Sequence, residues 1–234
     1  SSAASDVYKR QGSKRVPRKN VRPFGGLPMI AHPIHAAASS GCFDRILVST
    51  DDAEIAKIAK QAGAEVPFVR PPELSDDHAT SIAVIEHASR WLAQNGPQPS
   101  HVCCLYATAP FVTPQHLRQA YDLLNSSGAN YCFPVTSFAF PPQRALRRLE
   151  DGGVTMLEPA HELTRSQDLV EAVHDAGAFY WGTYEAWMGG ISIYGPGSTT
   201  IILPRHLVQD IDTEEDWNFA EILYRCLRQT EEKQ

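Results

Sequence analysis

The chain alternates between short apolar runs and longer stretches in which apolar residues recur every three or four positions. Residues 45–50 and 101–106 are apolar runs typical of buried strands. Helical periodicity follows over 53–62, which Asp51 and Asp52 precede as capping residues, and again over 80–94. This alternation predicts an α/β fold built on a mostly parallel twisted sheet, with helices on both faces.

The same reading extends along the rest of the chain. Further strands are predicted over 65–69, 130–135, 199–203 and 208–211, and further helices over 113–126 and 214–228. The acidic residues that follow Thr213 suit the positive end of the last helix dipole.

The interval 137–168 breaks this rhythm. Residues 144–150 and 154–158 are two short segments joined by Asp151-Gly152-Gly153, which predicts a protruding β-hairpin. A lone two-stranded hairpin is only marginally stable in water, and this one carries apolar residues. We therefore expect 137–168 to be an arm that packs on a second subunit and also serves the substrate site. The alternative is a loop that folds back on its own domain.

The beginning of the chain is poorly suited to a central strand, since Ala3, Ala4, Val7 and Tyr8 are its only apolar residues before Gly12. We expect residues 1–9 to be a non-native segment that stands in place of the first strand. The remaining residues, 10–229, are predicted to form a single domain, because 234 residues with 43% hydrophobic content fit one α/β unit.

Basic residues are concentrated in one loop near the beginning of the chain. Five cations lie within residues 10–20 around Gly12, in a chain whose formal net charge is −6. Cationic side chains and exposed backbone N–H groups hold phosphate oxygens, so a nucleotide triphosphate is the expected ligand. A solvated basic loop is the alternative. Nucleic acid is not expected as a partner, because the cations concentrate in this one loop.

The cysteine spacing and the length of the apolar runs argue against several classes of protein. The five cysteines form no CxxC pair, which argues against a zinc site or a disulfide framework and favours buried free thiols. No apolar run approaches the ~20 residues that span a bilayer, and the beginning of the chain lacks the apolar core of a signal peptide. No membrane association is expected, and a cytoplasmic location is the default expectation.

A second candidate site is the segment that contains Asp210 and Asp212. On a strand, residues i and i+2 face the same way, so the two carboxylates would share one face while Ile211 points to the core. Magnesium accepts one or two carboxylates together with substrate phosphates, which suits this pair. The alternative is that Asp212 merely caps the helix that begins near Glu214.

Four motifs in order, at 12–20, 48–52, 70–77 and 210–213, resemble those of the acylneuraminate cytidylyltransferases. The resemblance runs from about residue 10 to 229. It implies a Rossmann-like nucleotidyltransferase fold and a reaction between CTP and a nine-carbon keto-sugar acid. In that reaction the anomeric hydroxyl of the sugar acid attacks the α-phosphorus of CTP and releases pyrophosphate.

The resemblance also implies roles for individual residues. Lys19 would stabilise charge at the reacting phosphate, and Asp212 would help to deprotonate the attacking hydroxyl. Asp210 and Asp212 would hold Mg²⁺. The residues implied to bind the nucleotide are Arg10, Gly12, Ser13, Lys14, Lys19, Asn20, Arg70, Ala79 and Ser81.

The sugar side is implied by segments 104–111, 165–168 and 174–181, which are similar to the branch of the family that activates pseudaminic acid. Sialate-activating relatives commonly carry Gln where this chain has Tyr106 and Arg near His174. An aromatic ring makes the pocket more apolar, which favours pseudaminic acid over sialate. The implied sugar-binding residues are Tyr106, Arg165, Gln167, His174, Asp175, Phe179 and Tyr180. Phe179 and Tyr180 could instead be plain core strand residues, and His174 an ordinary loop histidine.

Two rival functions remain at this stage. One is the same reaction on another acid, namely N-acetylneuraminate, legionaminate or the eight-carbon octulosonate. The other is a non-catalytic nucleotide-binding homologue, which an unsuitable first strand favours. The presence of Lys19, Asn20, Asp210 and Asp212 argues against the second possibility.

Overall fold

The architecture comes from a computed structural model, which describes residues 3–8, 16–76 and 79–231. Within these ranges the strands are β1 Ala3–Tyr8, β2 Pro23–Phe24, β3 Leu27–Pro28, β4 Arg45–Ser49, β5 His101–Tyr106, β6 Tyr131–Ser137, β7 Leu146–Arg148, β8 Val154–Met156, β9 Val173–Asp175, β10 Phe179–Thr183 and β11 Ser198–Ile202. The α-helices are α1 Ala31–Ser40, α2 Ala53–Gln61, α3 Ser81–Gln94, α4 Pro114–Ser127, α5 Tyr184–Met188 and α6 Glu214–Glu231. Short 3-10 turns lie at Pro72–Leu74, Pro142–Arg144, Pro159–His161, Ser166–Asp168 and Arg205–Leu207.

The central sheet is mixed. Its strand order is β11-β6-β10-β5-β1-β4, and β9 also pairs with β6. β1 runs parallel to β4 and β5, and β11 runs parallel to β6. In contrast, β10 lies antiparallel between β5 and β6, and β9 is antiparallel to β6. Five of the seven strands of this sheet, β1, β4, β5, β6 and β11, therefore run in one direction, and β9 and β10 depart from the prediction by running against them.

Helices cover both faces of this sheet, as predicted. Alternating residues along β5 divide between two cores, because successive side chains of a strand point to opposite faces. Cys103 and Leu105 pack into the core under α1, α2 and α4, whereas Cys104 packs into the core under α3 and α5. The cysteines are free thiols; Cys103, Cys104 and Cys132 are buried, but Cys226 is exposed, contrary to the expectation of buried thiols.

Residues 3–8 form the first strand of the central sheet. Ala3–Tyr8 pairs on one side with β4 and on the other with β5, so it lies in the middle of the sheet. The segment thus forms a central strand, contrary to the expectation that the beginning of the chain is poorly suited to one. The prediction that residues 1–9 are non-native is a separate matter of origin and stays a prediction, as do the domain limits at 10 and 229.

The segment from 137 to 168 contains the predicted hairpin. β7 and β8 pair antiparallel, with Leu146 opposite Met156 and Arg148 opposite Val154. The hairpin forms a two-stranded sheet of its own, separate from the central sheet. Phe140 is 83% exposed and Leu163 is 93% exposed, so large apolar side chains of this segment face solvent in a single chain.

The segment that follows the basic loop is held by the last helix. Phe24 is fully buried and contacts Trp217 and Tyr224 of α6 in edge-on geometry, with ring centroids 5.4 and 5.2 Å apart. Arg22 lies over the Trp217 ring and pairs with Glu214 at 2.7 Å. These contacts join residues 22–24 to the other end of the chain.

In the part of the chain described, no helix combines the length and the apolar character needed to cross a membrane.

One close approach in the sheet gives a test of the packing. A Cβ added at Gly182 would lie 2.5 Å from Trp187 Nε1 and 2.7 Å from the Tyr131 ring, and Trp187 Nε1 already donates to the Val102 carbonyl at 3.0 Å. We expect Gly182→Ala to lower the free energy of unfolding by about 2 kcal/mol, because overpacking forces rings off their positions. Urea unfolding followed by circular dichroism measures this.

Gly195→Ala is the matched control, because the nearest atom to its added Cβ is 3.8 Å away. We expect its stability to stay within ~0.5 kcal/mol of the parent chain. Equal stability of the two variants would contradict the packing described around Gly182.

Candidate active site

The candidate site lies along one edge of the central sheet. The carboxyl ends of β1, β4 and β5 meet there, since Tyr8 is opposite both Ser49 and Tyr106. Because β10 is antiparallel, its first residue lies at the same edge, and the Tyr106 amide donates to the Ala178 carbonyl at 2.9 Å. Loops that leave this edge carry the predicted site residues, which is the usual place for ligands in open α/β sheets.

Lys19 lies at the meeting point of two distant segments. Its ammonium donates to the Ile211 carbonyl and lies 3.6 Å from Asp212 Oδ1. The Lys19 side chain is only 12% exposed, whereas Asp212 is 39% exposed. Arg18, which precedes it, has a backbone φ of 53°, an uncommon left-handed conformation for a non-glycine residue. The loop therefore turns sharply just before it presents Lys19 to the carboxylate.

The segment with the two aspartates is irregular, so the predicted strand over 208–211 is wrong. The alternation predicted for it still holds in burial. Ile211 is 2% exposed and packs beside Trp217, Asp210 is exposed and Asp212 is part-exposed. With its side chain buried, Ile211 presents its backbone carbonyl to the Lys19 ammonium. The carboxylates of Asp210 and Asp212 on either side lie nearer solvent.

Thr213, not Asp212, caps α6. The Asp216 amide donates to Thr213 Oγ1 at 3.2 Å, and Asp216 Oδ2 accepts in return from the Thr213 amide at 2.8 Å. This reciprocal pair is a capping box. Hydrogen bonds from Thr213 and from the Asp212 amide hold the pKa of Asp216 below its usual range. The alternative interpretation of Asp212 as a helix cap is therefore wrong, and its carboxylate pairs with Lys19.

Asn20 has an unsatisfied polar group beside this site. The residue is 7% exposed, its backbone carbonyl accepts from the Ile30 amide at 2.9 Å, and its side-chain Nδ2 has no hydrogen-bond partner among the described residues. A buried amide without a partner costs free energy unless a ligand or water satisfies it. The other predicted residues of this loop, Arg10, Gly12, Ser13 and Lys14, lie outside the described residues.

Arg70 is a buried cation close to the carboxyl end of β4. Its side chain is 1% exposed, Nε donates to Ser75 Oγ at 3.2 Å, and a terminal nitrogen lies 3.5 Å from Asp51 Oδ1. Its backbone amide donates to the Thr50 carbonyl at 3.0 Å, which fixes it against the sheet edge. A charge this deeply buried is normally paired, and Asp51 supplies the opposite charge.

Tyr106, Tyr180 and Asp175, three of the predicted sugar-binding residues, form a hydroxyl cluster close to Ser81, the first residue of α3. The rings of Tyr106 and Tyr180 are 5.6 Å apart between centroids. Tyr180 in turn donates to Asp175 Oδ2. Burial raises the pKa of Tyr106 to about 12, so its hydroxyl stays protonated at neutral pH. Strands β5 and β10 position both tyrosines on one face of the sheet.

Tyr194 is a member of this cluster that sequence reasoning missed. Its hydroxyl donates to Asp175 Oδ2 at 2.7 Å, and its ring packs edge-on against Phe133 with centroids 5.6 Å apart. Burial and the Asp175 carboxylate raise the pKa of Tyr194. The segment around Tyr194 has no strand or helix period, so no pattern signal marked it.

The other predicted sugar-binding residues make different contacts. Arg165 lies against the side-chain amide of Gln167, whose oxygen would accept from Arg165 Nε at 2.8 Å when the amide is turned to face it. His174 is exposed, packs on Phe138 and hydrogen-bonds the Asp175 carbonyl through Nδ1 at 2.9 Å. Phe179 is fully buried in the core under α1, α2 and α4, on the face opposite Tyr106.

The donor set at Asp210 and Asp212 does not make a complete metal site by itself. No group of three or more His, Cys, Asp or Glu side chains within the described ranges could hold a metal ion. Two carboxylates match the part that protein supplies to Mg²⁺ when substrate phosphates complete the coordination. The residues therefore fit a cation that binds together with a phosphorylated ligand.

Comparison with known proteins agrees with this chemistry. Residues 7–188 match the cytidylyltransferase family. Pseudaminic acid cytidylyltransferases from two strains of Campylobacter jejuni are 47% identical to the chain over 216 residues, which is 92% of this chain and 93% of theirs. The CMP-N,N'-diacetyllegionaminic acid synthase of Legionella pneumophila is 30% identical over 92% of each chain.

Among solved structures, CMP:2-keto-3-deoxy-manno-octonic acid synthetase complexed with CTP superposes with a TM-score of 0.69. It covers 96% of this chain and 99% of its own, at 13% identity, and so shows a shared α/β fold. The family match over more than half of the chain and the 47% identity over almost its full length agree. The chain belongs to the cytidylyltransferase family.

Proposed function

We propose that this chain transfers CMP from CTP to the anomeric hydroxyl of pseudaminic acid, giving the CMP-sugar and pyrophosphate. The observation that carries the proposal is the approach of Lys19 Nζ to within 3.6 Å of Asp212, because it joins the basic loop to the acidic segment. The high identity to pseudaminic acid cytidylyltransferases supports the choice of reaction and acceptor.

Lys19 acts on the reacting phosphate. In the reaction a bond forms between the sugar oxygen and the α-phosphorus, and the bond from that phosphorus to the bridging oxygen of pyrophosphate breaks. A positioned cation stabilises the charge that spreads over the phosphate oxygens. Asn20 Nδ2 is a buried donor with no partner among the described residues, so it can bind a phosphate oxygen. Arg10, Gly12, Ser13 and Lys14 complete the triphosphate loop in this proposal.

Asp210 and Asp212 hold Mg²⁺ in this proposal, together with the phosphates of CTP. The ion supplies charge neutralisation at the triphosphate when it is bound. Asp212 also accepts the proton of the attacking hydroxyl. Its part-exposed carboxylate leaves room for a ligand beside Lys19.

The cytidine end is bound near α3. Arg70, Ala79 and Ser81 contact the base and ribose in this proposal. Arg70 is held by Asp51 and Ser75, so its position is fixed before the ligand arrives. The Ala79 amide donates to Asp76 Oδ1 at 2.8 Å.

The sugar acid binds beside the hydroxyl cluster. Tyr106 and Tyr180 present aromatic faces together with hydroxyl groups, which suits a sugar with amide substituents and fewer hydroxyls. Arg165, Gln167 and His174 are proposed to approach it from the flanking segments, the guanidinium pairing with the carboxylate of the sugar acid. Phe179 supports the sheet from the opposite core rather than contacting the sugar.

The proposed assembly is a homodimer of Rossmann-like nucleotidyltransferase domains in which the 137–168 segment serves as the dimerisation arm. Its exposed apolar side chains, of which Phe140 and Leu163 are 83% and 93% exposed, support this role. Contact with a second subunit would remove them from water.

Pyrophosphate release from CTP tests the function. We expect Mg²⁺-dependent release with chemically defined pseudaminic acid, and much slower release with N-acetylneuraminate, legionaminate or octulosonate. A chain that binds CTP but releases no pyrophosphate with any of these acids would be a non-catalytic homologue. Faster turnover of another acid would reassign the acceptor.

Replacement of Asp212 tests its catalytic role. We expect Asp212→Asn to lower kcat by about 100-fold, because the proton acceptor and a metal ligand are lost, with a much smaller effect on CTP binding. Steady-state kinetics and calorimetric titration with CTP separate the two effects. Glu215→Gln changes an exposed carboxylate nearby on α6 and should leave kcat unchanged. Normal turnover of Asp212→Asn would exclude an essential role.

Replacement of an exposed apolar residue tests the arm. We expect Leu163→Glu to convert the dimer to a monomer, because a buried carboxylate at the interface is unfavourable. Sedimentation velocity measures the change. Ile222→Glu is the control, since Ile222 is a 56% exposed apolar residue on α6, outside the arm. A parent chain that sediments as a monomer would contradict the proposed assembly.

A further inference from the structure

Arg22 makes two kinds of contact with the first turns of α6. One of its terminal nitrogens donates to both carboxylate oxygens of Glu214, at 2.7 and 2.8 Å. Its guanidinium also lies over the Trp217 ring, 4.4 Å from the ring centroid. The Arg22 side chain is 32% exposed, and ions screen a partly buried pair less than a fully exposed one. The carboxylate and the ring together fix the position of the guanidinium.

Lys19 lies in the same short turn as Arg22. The Arg18 carbonyl accepts from the backbone amides three and four residues later, both at 3.0 Å, which closes the turn that holds the two cations. The Lys19 ammonium lies 3.6 Å from Asp212 Oδ1, and Asp212 precedes Glu214 by two residues. Lys19 and Arg22 therefore connect one turn to neighbouring residues of one segment. A shift of Arg22 relative to α6 would also move Lys19 relative to Asp212.

The packing of Phe24 anchors this turn but does not by itself fix its orientation. Apolar burial is non-directional, whereas a charge-assisted hydrogen bond depends on distance and angle. Arg18 pairs with Glu54 of α2 rather than with α6, and both of these side chains are more than half exposed, at 54% and 56%. Such an exposed pair contributes little. Arg22 thus supplies a directional contact between the turn and α6.

We propose that Arg22 is a positioning residue that acts through Glu214 and Trp217 to hold Lys19 in place beside Asp212 for the transfer of CMP. The inference rests on the proposed function, because it takes Lys19 as the cation at the reacting phosphate. The charge of Arg22 is paired with Glu214, so Arg22 acts through the turn and not on the phosphate itself.

Steady-state kinetics of Arg22→Met tests this role. The substitution keeps an unbranched apolar side chain and removes the guanidinium. We expect kcat for pyrophosphate release from CTP and pseudaminic acid, with Mg²⁺, to fall by about tenfold, because a 1 Å misplacement of a catalytic group can cost ~100-fold. The KM for CTP should change by less than about threefold, because Lys19 acts mainly in the transition state. An unchanged kcat would overturn the inference.

Two further variants separate positioning from direct action on phosphate. Arg22→Lys keeps the positive charge but lacks the planar guanidinium, so its kcat should fall nearly as far as that of Arg22→Met. Glu214→Gln removes the charge that holds Arg22, so its kcat should also fall, whereas it would not fall if Arg22 bound phosphate itself. Full activity of either variant would overturn the inference. Both variants carry the test if Arg22→Met does not fold.

Arg45→Met is the matched control. Arg45 donates to both carboxylate oxygens of Glu65 at 3.0 and 2.6 Å, lies 5.2 Å from the centroid of the Trp91 ring and is 30% exposed. It is the first residue of β4, whereas the candidate site lies at the other end of that strand. Its loss should lower stability in urea about as much as Arg22→Met but leave kcat unchanged. An equal loss of kcat in both variants would make Arg22 a merely structural residue.

Hydrogen exchange followed by mass spectrometry tests the positioning independently of activity. We expect peptides that cover residues 16–24 to lose protection in Arg22→Met and Glu214→Gln but to keep it in Arg45→Met, because local opening follows the loss of local contacts. Equal protection in all variants would overturn the inference. A parent chain that releases no pyrophosphate would instead contradict the proposed function, and the exchange measurement would still decide whether Arg22 holds the turn.

Discussion

The burial of Phe24 against α6 is the interaction on which the candidate site depends. Lys19 and Ile211 are 192 residues apart in the chain, yet they are in contact. Full burial of a phenylalanine is worth about 1.5–3 kcal/mol, and each aromatic pair adds about 0.5–1.5 kcal/mol. A part-exposed pair such as Lys19–Asp212 contributes at most ~1 kcal/mol. The packing of Phe24 on α6 is therefore the main contact that holds the basic loop beside the segment of Asp210 and Asp212. The Lys19–Asp212 ion pair forms because these two segments are already adjacent.

The start of α6 shows why Asp212 does not cap the helix. The Asp216 amide donates to Thr213 Oγ1, and Asp216 Oδ2 accepts from the Thr213 amide. Because the helix is capped by these two residues, Asp212 can pair with Lys19 instead. Phosphate binding would exchange one negative partner of Lys19 for another. The charge arrangement therefore needs no large rearrangement of the backbone to receive an anionic ligand.

The sequence allowed prediction of those parts of the fold that local patterns determine. β5 matches its predicted limits, and α3 and α4 differ by about one residue at their ends, since apolar period and caps mark them. α1 was missed because Pro33 lies within it and its alanines give little amphipathic contrast. The direction of β10 could not be predicted, because a strand has the same apolar pattern in either direction. Contacts such as Tyr194–Asp175 depend on tertiary packing that no local period records.

The antiparallel direction of β10 has a chemical consequence. A parallel strand in the place of β10 would bring its carboxyl end to the edge where the candidate site lies. The antiparallel β10 instead brings its amino end, so Asp175 arrives beside Tyr106 at that edge. Tyr180 then lies on the same face as Tyr106, with ring centroids 5.6 Å apart, so the hydroxyl cluster spans β10 and β5. The mixed topology of the sheet thus places this cluster at the same end of the sheet as the carboxyl ends of β1, β4 and β5.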